Sequence, residues 1–427
     1  MTRRQWMASA GAAALPLALS AQQQALGGSK DHGLFPALPD ETAAPVSLPD
    51  KTNFRYLKET YLNSASQHPK LLGSLAWQRR AGAFMSGQPG GAEPSQERIC
   101  ANFSKLIHAD PGEVVLVPST QAGESLVAAA LGLPAPGAHV VTDVLHFEGS
   151  LQMYQEMRKR GLDVTFVKMS GDGRIRIEDL DQAIVPGKTR LVAISSTSFI
   201  NGFQHDVQQV CERAHAKGAL VYADMIQSAG NSPTDVKKWG VDAACCATYK
   251  WLMSPGTAFL YVNAGALAKL QAPLYHWTQF APFLPVTHMY PFDAPAGVIL
   301  DHYHRKPGAA GLFSTGYEPN IEALAGLEYS LPYILDLGVD RIQAHARPLA
   351  QALQTELRRR GYRVLTPPDC TAPIVTIAMD RPETLAPVFR KAKIELTIRW
   401  NTIRVAFSVF NDQDDVHRLL AAMPRTA

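Results

Sequence analysis

The sequence predicts an α/β protein: a mainly parallel sheet interleaved with helices, followed by a smaller α+β domain at the C-terminal end. Three observations carry this reading. Between Glu113 and Val262, short apolar runs alternate with helical stretches, the pattern of a parallel sheet crossed by helices. One run, Ala219 to Ala223, ends abruptly in Asp224, and another, Ala243 to Ala247, leads to Lys250. Charges at the ends of buried strands point into the crevice where open α/β sheets bind ligands. From about Ile321 onward, helices mix with short strands instead of alternating with them.

Composition narrows the class. The chain has 427 residues, enough for a large core and two domains. Apolar residues make up 46% and charged residues 19%, as in ordinary globular proteins. The net charge is +3 with no long basic run, so nothing suggests nucleic-acid binding. The five cysteines form neither a disulfide framework nor a zinc-ligand pattern: Cys245 and Cys246 are adjacent, while Cys100, Cys211 and Cys370 are scattered. His302 and His304 share a strand face but have no further ligands beside them, so no metal site is expected.

The N-terminus is set apart from the fold. Arg3-Arg4, a short run of Ala, Leu and Gly, and small residues near Ala18 to Ala21 read as a twin-arginine export signal over residues 1–28. The expected destination is the periplasm or the exterior. The apolar run is too short to span a bilayer as an ordinary membrane helix. An arm or linker occupies 29–74, the large domain 75–310 and the small domain 311–427.

The elements follow in order. Trp77 to Ala109 has helical spacing. Glu113 to Val117 is a buried strand, followed by the turn Pro118 to Gly123 and a helix from about Glu124 to Leu131. A strand, a small polar turn and a helix N-terminus make a phosphate site, because the first helical N–H groups are free and carry partial positive charge. Further strands are read at His139 to Asp143, Asp163 to Met169 and Arg190 to Ser195. The helix Gln208 to Gly218 then returns the chain to the Asp224 strand. Thr257 to Val262 closes the set after a Pro-Gly turn. Gln271 to Leu300 is irregular and rich in Pro and aromatics, a substrate-pocket loop or a dimer surface. Helices at Ala346 to Arg360, Glu383 to Lys391 and Asp414 to Met423 belong to the small domain.

The Asp224 and Lys250 pair suits pyridoxal phosphate. That cofactor needs a lysine amine to hold its aldehyde as a Schiff base, and a carboxylate on its ring nitrogen to make the ring a better electron sink. Gln227, three residues past Asp224, can reach the ring hydroxyl.

Asp224-x-x-Gln227, Lys250 about two dozen residues on, then Trp251 and the Pro255-Gly256 turn before a strand, resemble the class V aminotransferase family. That family is a branch of the fold type I pyridoxal-phosphate enzymes. It includes cysteine desulfurases, isopenicillin-N-epimerase-like proteins, kynureninases and several transaminases. The resemblance covers roughly the whole chain after the linker. It implies a large domain with a sheet of the seven-stranded, mainly parallel type, a small C-terminal domain, and a homodimer with shared active sites.

The resemblance also implies roles for residues. The turn carrying Thr120 and Gln121 holds the cofactor phosphate, with the Thr248 hydroxyl beside it. Phe147, or alternatively His146, stacks on the ring. Ser198 lies in the loop beside the ring, where Phe199 replaces an Asn of many relatives and leaves Gln227 to carry the bond to the ring hydroxyl. Tyr249 sits next to the Schiff-base lysine, to shape acid–base chemistry or to pack. The segment Leu312 to Asn320 is similar to the family's Phe-x-x-Gly-Thr-Pro-Asn, so Thr315 or Tyr317 reaches the phosphate of the neighbouring subunit. In Tyr61 to Ala65, Asn63 lies near the substrate. Arg404, in a segment similar to Arg-x-Ser-x-x-x-Tyr-Asn, clamps the substrate carboxylate, with Arg399 as its neighbour.

These residues define a superfamily more than a reaction. Lys393 to Ile403 contains no cysteine and little room for the nucleophile loop of desulfurases, and Cys370 is too far upstream to replace it. Transamination of an amino acid leads; epimerisation and β/γ-elimination are the alternatives. An exported binding protein without turnover is the reading from another class, and Lys250, Asp224 and Arg404 together argue against it.

Overall fold

The computed structural model describes residues 46–281 and 303–424. The export signal, the arm as far as residue 45 and most of the aromatic stretch (residues 282–302, including His302) lie outside the described residues. Among the described residues no helix is long and apolar enough to cross a membrane.

A seven-stranded sheet organises the first half. Its strands lie in the order Val114–Val117, Ala258–Val262, Ala243–Ala247, Leu220–Asp224, Thr189–Ser195, His139–Asp143 and Asp163–Val167. Ala258–Val262 runs antiparallel to both its neighbours, and the other adjacent pairs are parallel. The single reversal follows from connection length. The chain returns from Ala247 to Ala258 through a short loop, while the parallel steps each use a longer crossover.

The strands are apolar on both faces because both faces are covered. Val221 and Ala223 enter one core with Val192, Ile194 and Phe259, while Leu220 and Tyr222 enter another with Leu191, Ala193 and Leu260. That is the two-residue period of a strand sorting side chains between two helical layers.

Helical spacing between Trp77 and Ala109 resolves into two helices, Leu72–Met85 and Gln96–Leu106. The break contains Gly87 and Gly90, both with φ in the left-handed region, and the second helix restarts where the Ser95 hydroxyl accepts the Arg98 N–H at 3.2 Å.

Helix Ile321–Leu337 packs against both of these helices and puts Leu324, Leu327, Leu331 and Ile334 into the same core as Phe103 and Tyr261. Residues beyond 311 therefore complete the core of the large sheet. The next helix, Val339–Arg359, lies over a four-stranded antiparallel sheet of Arg363–Val364, Ile374–Ala378, Thr402–Ala406 and Thr397–Arg399. Leu349, Leu353, Val405 and Leu419 share this third core. Chain from the arm joins it: Thr60–Tyr61 pairs in parallel with Ile394–Glu395, and Asn63 bridges to Ala406.

Candidate active site

Strand ends bring the central acid and base together. Leu220–Asp224 and Ala243–Ala247 are parallel neighbours, with Asp224 opposite Cys245, and Lys250 stands just beyond the second strand. Asp224 is buried and its Oδ1 accepts the Ile226 N–H at 2.9 Å. Burial pushes its pKa up to about 6, against the opposing pull of His146 and Lys250. Lys250 is 8% exposed, and its Nζ lies 5.6 Å from the centre of the Tyr249 ring without a hydrogen-bond acceptor among the described residues. Burial lowers its pKa to about 8, although Asp224 pulls the other way. A buried amine held partly neutral beside a buried carboxylate fits an aldehyde-bearing cofactor whose ring nitrogen is protonated.

The phosphate end is built on the helix Thr120–Ala130. Ser119 caps it by accepting the Ala122 N–H at 3.1 Å. Thr120 Oγ1 accepts the Ala247 N–H at 3.0 Å, which ties the helix start to the strand before Lys250 and leaves the hydroxyl proton to donate. Gln121 Nε2 donates to the Gly149 carbonyl at 2.9 Å. The close approach depends on Gly123, where a Cβ would stand 2.6 Å from Cys245 Sγ.

Two residues expected at the cofactor have hydroxyls engaged within the chain. The Thr248 hydroxyl is fully buried and donates to the Thr257 carbonyl at 2.9 Å, which braces the turn to the antiparallel strand. The Ser198 hydroxyl donates to Leu145 O at 2.9 Å and accepts from Ile200 N, which fixes its loop from behind.

Phe147 and His146 differ in burial. His146 is wholly enclosed, with Nδ1 2.8 Å from Ser195 Oγ and Nε2 3.2 Å from Glu124 Oε1. Phe147 is half-buried at the start of helix Glu148–Arg158, edge-on to Phe199 at 5.9 Å, and is the ring positioned to cover a cofactor face. Gln227 is largely committed: Nε2 donates to Ala65 O at 2.9 Å and Oε1 accepts Trp251 Nε1 at 3.0 Å, which leaves one amide N–H for a ring hydroxyl.

The substrate side comes from the small domain and the arm. Arg404 is 7% exposed, and its guanidinium donates to Phe199 O at 2.9 Å, to Ser66 Oγ and to Thr397 Oγ1 at 3.2 Å. All three acceptors are neutral, and no carboxylate pairs with Arg404 among the described residues. Burial and the nearby Arg399 lower its pKa to about 10. Asn63 accepts from Thr397 and donates to Glu395 at 3.2 Å, so it orients this wall. Thr315 accepts the Tyr317 N–H at 3.3 Å, and the Tyr317 hydroxyl donates to Gly256 O at 2.6 Å. Within one chain both therefore border the loop that follows Lys250.

Sequence reasoning missed Glu124. It is a fully buried carboxylate that receives Ser150 Oγ, Tyr154 Oη at 2.7 Å and His146. A signal was present. Thr120, Gly123, Glu124, Val127 and Ala128 form the i, i+3, i+4, i+7, i+8 stripe that a helix turns inward. Burial alone would raise the pKa of Glu124, but His146 and the two hydroxyls hold it below the usual carboxylate value. The imidazole is correspondingly raised.

Known proteins share the family and the fold of this chain. The family model for aminotransferase class-V matches residues 92–419. A Bacillus subtilis (strain 168) protein described as the uncharacterized aminotransferase YcbU is 28% identical over 74% of this chain and 80% of its own length. A probable cysteine desulfurase of Halalkalibacterium halodurans is 25% identical over 79% of this chain and 82% of its own. Among solved structures, apo cysteine desulfurase from Thermococcus onnurineus NA1 superimposes with a TM-score of 0.75 at 19% identity, covering 89% of this chain and 98% of that one. At that identity the likeness speaks for the fold.

Proposed function

This chain belongs to the class-V aminotransferase family, whose fold type I members use pyridoxal phosphate, and from that premise we propose that it is a transaminase acting on an amino acid. The observation that carries the proposal is a pair of buried cations with different tasks: Lys250, held partly neutral, and Arg404, a guanidinium surrounded by neutral acceptors. The first suits covalent and base chemistry, the second an incoming carboxylate.

Bound pyridoxal phosphate supplies an aldehyde and an electron sink for loss of the α-proton. The chain supplies the rest. The Lys250 amine holds the aldehyde carbon and, when free, moves a proton at the substrate α-carbon. Asp224 keeps a proton on the ring nitrogen. The helix start at Thr120 and Gln121 binds the phosphate, Phe147 covers one ring face, and Arg404 orients the substrate through its carboxylate.

Desulfurase chemistry, named for several relatives, needs a mobile thiol at the substrate. The two strands Thr397–Arg399 and Thr402–Ala406 are joined by Trp400 and Asn401 alone, with no cysteine on them. Cys370 is buried and its thiol pushed up to about 12. Both facts support transfer over sulfur abstraction.

Export by the twin-arginine route is proposed on Arg3-Arg4, the short apolar run after it and the small residues near Ala18 to Ala21. A homodimer is proposed because Tyr275 and Trp277, flanking the aromatic stretch, are exposed. N-terminal sequencing of the secreted fraction and sedimentation of the purified protein test the two.

The deciding experiment is the visible spectrum of the purified protein with a panel of amino acids. Conversion of the bound cofactor to its amine form with release of a keto acid supports transamination. Release of ammonia means elimination, and inversion of the α-centre without keto acid means epimerisation. No cofactor band, even after adding pyridoxal phosphate, would overturn the enzyme reading and favour a binding protein.

A further inference from the structure

Arg399 and Arg404 stand on one face of the same hairpin. Its register pairs Thr397 with Arg404 and Arg399 with Thr402. Residues opposite each other across an antiparallel pair project to the same side, as do residues two apart along a strand. All four therefore share a face, and the bond from Arg404 to Thr397 at 3.2 Å runs along it. Arg404 lies deep, against Phe199 and Ser66; Arg399 lies nearer the tip and is half exposed. The backbones of such diagonal neighbours are about 7–8 Å apart. Side chains as long as arginine can converge from that separation on the two carboxylates of a short dicarboxylic amino acid.

The partners of Arg399 also differ from those of a structural arginine. Its Nη1 lies 3.4 Å from Glu148 Oε1, with both side chains about half exposed (51% and 43%). Arg98 shows what a fixed pair looks like here: Nε and Nη2 meet both oxygens of Glu328 at 2.8 and 2.7 Å. Glu148 is the first residue of the helix that presents Phe147. The loose pair thus spans the mouth between the cofactor-covering ring and the carboxylate-binding wall. The other acid beside this face, Glu395, is held by the Asn63 amide at 3.2 Å. An exposed, single-contact ion pair is readily exchanged for a better-placed anion.

We infer that Arg399 is a specificity residue that selects amino acids with an acidic side chain, its guanidinium leaving Glu148 to bind the distal carboxylate while Arg404 holds the α-carboxylate. This rests on the amino-acid reading of the site given above.

The test is calorimetric and spectroscopic titration of the cofactor-loaded protein with aspartate, glutamate, asparagine and glutamine, before and after Arg399→Gln. Thermal unfolding confirms that the variant is folded. The expected result is at least ten-fold tighter binding of each acid than of its neutral amide, with that ratio collapsing toward one in Arg399→Gln. Glu148→Gln, which removes the competing carboxylate, raises the ratio. If the amides bind as tightly as the acids, or if Arg399→Gln weakens both series equally, the amino-acid reading survives and this inference falls. If none of the four, nor any other amino acid, perturbs the bound cofactor, the amino-acid reading falls and this inference with it.

Discussion

Glu124 and His146 form an ion pair wholly out of contact with solvent, Oε1 to Nε2 at 3.2 Å, directly behind the strand ends that carry Ser195 and Asp224. His146 reaches Ser195 on its other nitrogen, and Ser195 lies opposite Asp224 in the sheet. The imidazole in this place keeps the Asp224 pKa from rising as far as burial alone would push it.

Removing one member of such a pair strands the other charge in a dry interior. Glu124→Ala is expected to cost about 3–5 kcal/mol of stability between about pH 4.5 and 6.5, read from the denaturant midpoint. The sign with pH follows from the two shifts. Glu124 is lowered, so its contribution is present above the ordinary carboxylate value and is lost as pH falls through its lowered one. His146 is raised, so its contribution is full below about 6.5 and is lost as pH rises through its raised value. The difference between wild type and variant is therefore greatest between about pH 4.5 and 6.5 and shrinks on both sides.

Lys250 must be neutral to attack an aldehyde. With its pKa lowered to about 8, the rate of loading pyridoxal phosphate onto cofactor-free protein should rise roughly ten-fold between about pH 7 and pH 9 and then level off. A fixed rate across that range would contradict the assignment. Lys250→Ala should abolish the covalently held band altogether.

Asp224 separates stability from function. Its raised pKa means the folded, cofactor-free chain keeps the proton longer than the unfolded chain does, so this group costs stability progressively between about pH 4 and 6. Asp224→Asn should remove that cost and stabilise the cofactor-free protein above pH 6. It should also slow turnover by about 10²–10³, the scale for losing a preorganised electrostatic partner. Thermal unfolding across pH and single-turnover kinetics read the two halves.

Arg404→Lys keeps the charge and loses the planar fork. The expected effect is a rise in KM of about 10- to 100-fold, equivalent to the 1.5–3 kcal/mol of a charge-assisted hydrogen bond, with a smaller change in kcat. A change confined to kcat would place Arg404 elsewhere in the reaction.

Gly123→Ala puts a Cβ 2.6 Å from Cys245 Sγ and forces the helix start away from the strand before Lys250. Overpacking of this kind costs about 1–3 kcal/mol. Weaker retention of pyridoxal phosphate on dialysis should accompany the lower melting temperature, because the helix N-terminus carries the phosphate contacts.

The sequence by itself determined the sheet and the chemistry that depends on local order. Apolar runs bounded by turns located all seven strands, since the central strands, buried on both faces, are mostly apolar. Asp224 and Lys250 were legible because one ends such a run and the other stands three residues past the end of the next. Tertiary structure decided what depends on partners far apart in the chain. Whether a hydroxyl faces a cofactor or a backbone carbonyl cannot be read from its neighbours: Thr248, expected beside the phosphate, and Ser198, expected beside the ring, each donate to a backbone carbonyl. His146 and Phe147 are adjacent in sequence, and only the packing of Glu124, Ser195 and Tyr154 turns one inward and leaves the other at the crevice. Arg404 could be named from its motif, but its lack of a carboxylate partner is a property of the assembled wall of Ser66, Phe199 and Thr397, drawn from three distant segments. Strand burial is encoded along the chain; electrostatic pairing is encoded across it, and it exists only once the chain has closed.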